Sequence, residues 1–174
     1  VRWHSINDVA FLAALLKHNI VVKTANEPFE IDQKKFPAGS LIISQKGNAQ
    51  IKLDQIMTEL ANNYQISLTA VNTGFVTSGM DFGSDQVKTL KSPKVIVAAG
   101  EGIVPYALGG VWHYFEKQIQ YPLTLVSGNK LTSVPWHEVD VLILPDGKYQ
   151  DIFSDRLLNQ LRDWVKNGGN NSFQ

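Results

Sequence analysis

Two groups of residues in this chain of 174 residues have types and spacing that could do chemistry. His113 and Glu116 form a His-x-x-Glu. Residues three apart share one side of a helix, so an imidazole and a carboxylate at this spacing could hold one metal ion. A third ligand would have to come from His4, His18 or His137, and none of these stands in a supporting motif. The pair therefore reads as a solvated or edge-of-core pair, since short motifs often match by chance. The second group is Gly100, Glu101 and Gly102 together with Asp146 and Gly147. Each set follows an apolar run of strand length, and ligands of open α/β proteins bind at the carboxyl ends of strands.

Gly100-Glu101-Gly102 would let backbone amides approach an anion ahead of a helix. It lacks the third glycine of a dinucleotide fingerprint and the lysine of a phosphate loop, so a tight strand-to-helix turn is the plainer reading. Asp146 could bind a ligand or act as a base, and Pro145-Asp146-Gly147 also reads as a simple turn. Serine, histidine and aspartate are all present, but no Gly-x-Ser-x-Gly elbow places a nucleophile. Among the aromatics, Trp112 and Trp164 fall on apolar helix faces and are expected in the core. Trp136, between Pro135 and His137, is the expected exposed contact, and Trp3 is a further candidate for a ligand surface.

The elements that must position these residues follow from periodicity. The stretch 94–126 reads as strand (95–99), glycine turn, helix after Pro105 and second strand (123–126), the unit from which parallel sheets are built. Leu108, Val111, Trp112, Phe115 and Ile119 form the helix's expected inner face. A further apolar strand, 139–144, ends in Pro145. Ser154 then caps a helix with Leu157, Leu158, Leu161, Trp164 and Val165 inward, stopped at Gly168-Gly169.

Upstream, Ser5 and Asp8 resemble a capping box before a helix ending near Asn19. A strand is expected at 20–24, and 25–39, with Pro28 and Pro37, reads as a surface excursion holding an edge strand at 29–31. Further strands are expected at 41–43 and 66–71, on either side of an amphipathic helix through Leu53, Ile56, Met57, Leu60, Ala61 and Tyr64. Segment 72–93 has no sustained period and exceeds common loop lengths, which makes it a connector or a functional loop. The favoured organisation is a single α/β domain fragment, 1–174, with half-domains 1–71 and 94–169 joined by connector 72–93. A doubly wound sheet would need another strand after 169, so truncation at the C-terminus is expected.

Sixteen basic residues balance sixteen acidic ones, leaving no net field to attract nucleic acid or an anionic membrane. There is no cysteine, which removes disulfides, thiolate metal sites and a cysteine nucleophile. No apolar run approaches the roughly 20 residues of a membrane helix, so no membrane span is expected.

Two resemblances sharpen this reading. The pattern VIVAAGEG, GGVWHYFE, YPLTLV, VDVLILPDG and LRDWVKNGG resembles the class I glutamine amidotransferase-like domain. There, a strand ending in Pro-Gly-Gly supplies part of an oxyanion hole and a nucleophilic cysteine lies on a later strand. Here the first motif is Pro145-Asp146-Gly147, and no cysteine follows. More specifically, AFLAALLKHNIVV, FPAGSLIIS, TGFVTSGMDFGS, LKSPKVIV and VWHYFEKQIQYPLT, in that order, resemble the region after the catalytic domain in bacterial zinc carboxypeptidase-like proteins.

The resemblance implies a flavodoxin-like or amidotransferase-like three-layer fold, with a mostly parallel sheet flanked by helices. It implies a secreted or periplasmic metallopeptidase parent, a hydrolase whose zinc belongs to a separate catalytic domain, and no cofactor in this chain. The expected role is a non-catalytic accessory domain that supports the catalytic domain of its own polypeptide or binds peptide or glycan near it. Two alternatives stand beside it. One is a small-molecule-binding or amidotransferase-like domain using Gly100, Glu101, Gly102, Asp146 and Gly147; the other is a purely structural scaffold.

Overall fold

The structure is a computed structural model that describes residues 5–168. It is mixed α/β and divides into two compact units, Val1–Lys91 and Ser92–Gln174. In place of one mostly parallel sheet, the described residues form three sheets of three strands, two of them antiparallel.

The first unit opens with α1 (Ile6–Lys17), started by the Ser5–Asp8 capping box, in which Asp8 Oδ2 accepts from the Ser5 amide. Strand β1 (Val22–Ala25) then lies between β4 (Leu41–Ile43) and β6 (Val87–Thr89), antiparallel to both. Helix α2 (Leu53–Tyr64) packs with α1 over this sheet. It ends without glycine: Gln65 takes a left-handed conformation, and the Ile66 amide donates to the Ala61 carbonyl at 2.8 Å. Phe11, Leu15, Val22, Leu41 and Leu60 make the shared core.

The second sheet corrects the reading of 25–39. Strand β2 (Phe29–Ile31) is central, not an edge, paired with β3 (Lys34–Phe36) on one side and β5 (Ser78–Gly79) on the other. The side chains of Ala25, Phe29, Ile31 and Phe36 are buried, so this is no surface excursion: they form a second core with Met80. The alternation of Phe29 and Ile31 with a polar residue was the strand signal, while Lys34 and Lys35 sit exposed on β3. Ile42 of β4 packs into this second core while Leu41 and Ile43 pack into the first, the two-residue period of a strand buried on both faces.

One further expectation is overturned upstream of residue 91. Residues 66–71 form no strand, although they alternate. Ile66 packs in the first core and Val71 in the second, so the stretch crosses between two cores with mostly exposed residues and pairs with nothing. Segment 72–93, in contrast, supplies β5 and β6, which complete the two antiparallel sheets. Their strands are two and three residues long, too short to print a period.

In the second unit β7 (Val95–Ala99) lies between β8 (Thr124–Ser127) and β9 (Val141–Ile143), parallel to both. Between β7 and β8 runs α3 (Pro105–His113), with proline at the first helical turn where its missing amide costs nothing. The helix leaves through one π turn over Tyr114–Gln118, in which the Ile119 amide donates to the Tyr114 carbonyl at 3.0 Å. From β8 the chain returns through two short 3-10 segments, Gly128–Ser133 and Trp136–Glu138. Helix α4 (Asp155–Lys166) closes the unit, its Ser154 hydroxyl accepting from the Leu157 amide at 3.3 Å. Ile96, Ala98, Ile103, Leu131, Trp136, Val139 and Leu157 form the core.

Helix α4 turns Leu157, Leu161 and Trp164 inward, whereas Leu158 and Val165, expected beside them, are exposed. No helix among the described residues is long and apolar enough to cross a membrane. Trp3, His4, Gly169 and the expected truncation beyond it lie outside the described residues.

Candidate site at the carboxyl edge of the parallel sheet

The parallel sheet delivers the ends of β7 and β9 to one edge, and the two loops that follow are joined through their main chains. The Val104 amide donates to the Asp146 carbonyl at 2.9 Å, and the Lys148 amide donates to the Gly102 carbonyl at 2.7 Å. Ile103 and Gly147 form an antiparallel bridge at the same place. The turn that holds Gly100, Glu101 and Gly102 thus meets the loop of Asp146 and Gly147 through Gly102, Ile103 and Val104.

Glycine is required where this junction is tightest. A Cβ on Gly147 would lie 2.6 Å from the Gly102 carbonyl oxygen and 3.1 Å from Ile103 Cα, both rigid main chain. Gly102 has φ of +84°, and a Cβ there would lie 3.0 Å from the Lys148 carbonyl oxygen. The glycines first read as possible anion-binding positions therefore have a definite packing role, and the amides of Val104 and Lys148 are committed to protein carbonyls.

The carboxylates of Glu101 and Asp146 stand exposed on this junction. Two residues that the sequence reading did not single out join them. Ser127, at the end of β8, presents its hydroxyl to Gly100, 3.0 Å from where a Cβ would be. Tyr149 donates its hydroxyl to the Pro145 carbonyl. Burial pushes the Tyr149 phenol above its ordinary pKa, and the negative charge of Asp146 adds to the effect. The signal for Tyr149 was available: a tyrosine four residues after Pro145 can reach back across a turn. Ser127 had none, because its place depends on the pairing of Ala99 with Ser127 across two strands. The edge offers two carboxylates, a serine hydroxyl and a tyrosine, a set able to accept from or bond to the hydroxyl and amine groups of a polar ligand.

His113 and Glu116 behave differently. His113 closes α3 and Glu116 lies inside the π turn, both exposed, and Glu116 Oε1 is 3.7 Å from Lys117 Nζ. Among the described residues no group of three or more His, Cys, Asp or Glu is placed to hold a metal ion. The exposed pair, with Glu116 beside a lysine, does not fit a zinc centre, and no chemistry is assigned to it. His137 is exposed, with Nε2 3.8 Å from Glu138 Oε1.

The tryptophans reverse two expectations. Trp136 is 8% exposed, packed in the core with its ring centroid 5.5 Å from that of Trp164. The Pro-Trp-His context that suggested a surface loop opens a 3-10 turn, Trp136–Glu138, whose first side chain points inward. Trp112 is 45% exposed instead of buried. The inner side of α3 runs through Leu108, Val111 and Phe115 at best half-buried, then through Ile119 beyond the π turn, and Trp112 falls off that line. Trp164 is half-buried and donates its indole N–H to the Val139 carbonyl at 2.9 Å.

Comparison with known proteins adds no relative: no family description, curated protein or solved structure matches this chain.

Proposed function

We propose that this chain is a non-catalytic accessory domain of a zinc carboxypeptidase-like protein, with an amidotransferase-like second unit. It supports the catalytic domain of its own polypeptide or binds peptide or glycan beside it. Zinc belongs to that catalytic domain, and the parent is secreted or periplasmic. The observation that carries the reading is the junction of the β7 and β9 loops. Pro145-Asp146-Gly147 occupies the strand end where the amidotransferase-like pattern has Pro-Gly-Gly, and the neighbouring Lys148 and Val104 amides are bonded to carbonyls. Those amides hold two loops together, whereas in the amidotransferase-like family that this pattern resembles the corresponding strand end supplies part of an oxyanion hole. The ordered series of motifs from AFLAALLKHNIVV to YPLT supplies the parent.

The test uses the chain and its parent polypeptide. The isolated chain with added zinc is expected to release no C-terminal amino acid from peptides, and zinc-dependent release would overturn the reading. In the full polypeptide, deletion of residues 1–174 is expected to lower the stability of the catalytic domain or its activity on large substrates. A deleted protein matching the parent in both would equally overturn it.

A second reading is favoured by the same junction: a small-molecule site built from Glu101 and Asp146. Ligand-induced thermal shifts lost in Glu101→Ala and Asp146→Ala would support it. The absence of any shift across a broad panel of polar metabolites would count against it.

A further inference from the structure

We draw no further inference here: the strongest candidate, the outward side of α3 where Tyr106 at 92% exposure and Trp112 stand near the open positions of Gly109 and Gly110, is an unpartnered face, and nothing in the structure shows what covers it.

Discussion

Asn48 closes on the main chain of Val21 from both sides: its Oδ1 accepts from the Val21 amide at 2.8 Å and its Nδ2 donates to the Val21 carbonyl at 3.1 Å. The same Nδ2 reaches the Ser44 carbonyl at 2.8 Å, and the residue is buried. A side-chain amide here stands in for a strand partner at the entrance to β1, satisfying groups that the sheet itself does not reach. Asn48→Ala removes all three bonds and leaves main-chain groups without partners. A loss of about 2 kcal/mol is expected, measured by urea unfolding. A loss under about 0.5 kcal/mol would mean that water replaces the side chain at no cost.

Substitution at two glycines of the second unit should have opposite signs. Gly147→Ala forces a methyl group against the Gly102 carbonyl oxygen and Ile103 Cα, so the loop junction must open, at a cost of about 2 kcal/mol. Gly109→Ala places its methyl in open space within α3 and should stabilise by about 0.8 kcal/mol through helix propensity. Thermal unfolding of both variants checks the pair. A neutral Gly147→Ala would show that the two loops are not held as described.

The turn between β2 and β3 is made by Asp32 and Gln33, with φ of 49° and 61°. Positive φ at both central residues is the geometry of a two-residue hairpin that favours glycine at its second position. Gln33→Gly should therefore stabilise the chain by about 1 kcal/mol. Gln33→Val, which adds a branched Cβ at the same φ, should destabilise it. Equal midpoints for the two variants in denaturant would contradict the turn.

Lys94 Nζ lies 2.6 Å from Glu138 Oε2. The hydrogen bond from Lys94, and then its charge, hold the Glu138 carboxyl below its ordinary pKa. A carboxyl that is more acidic folded than unfolded stabilises the fold above its unfolded pKa, and that contribution is lost as pH falls through the folded value. Carbon-detected NMR titration should place Glu138 below the ordinary glutamate value. Lys94→Met should bring it back, and so should high salt, because the pair is exposed. An unchanged Glu138 midpoint in Lys94→Met would show that the pair does not form in solution.

What could be read from sequence depended on whether a residue's neighbours lie near it in the chain. The capping residues of α1 and α4, Ser5 and Ser154, act within one helical turn, and both were legible. So were α2 and the β7–α3–β8 unit, where apolar spacing runs long enough to show its period. Ile66 and Val71 misled because alternation records two half-buried ends without saying that they enter different cores. Ser78 and Gly79 were unreadable as a strand, since their partner β2 lies far upstream and two residues carry no pattern.

The candidate edge shows the same division. Glu101 and Asp146 each stood out as the acid after a strand, but their shared edge required β7 and β9 to pair in parallel. Trp136 and Trp112 were misplaced because local context, a proline on one side or a helical face, does not reveal where a 3-10 turn carries a side chain inward or which side of a short helix is left uncovered.

The central place of β7 bears on how the chain acquires its structure in time. In the first unit, β2 and β3 meet across a two-residue turn, an event that takes microseconds. In the second, β7 pairs with both other strands of its sheet; its pairing with β8 must gather in α3, and its pairing with β9 must gather in α3, β8 and the two 3-10 turns. Non-local pairings of this kind are slow. Until β8 and β9 have paired with it, the two apolar edges of β7 are open to other chains, and the loop junction between Gly102 and Gly147 depends on the second of those pairings.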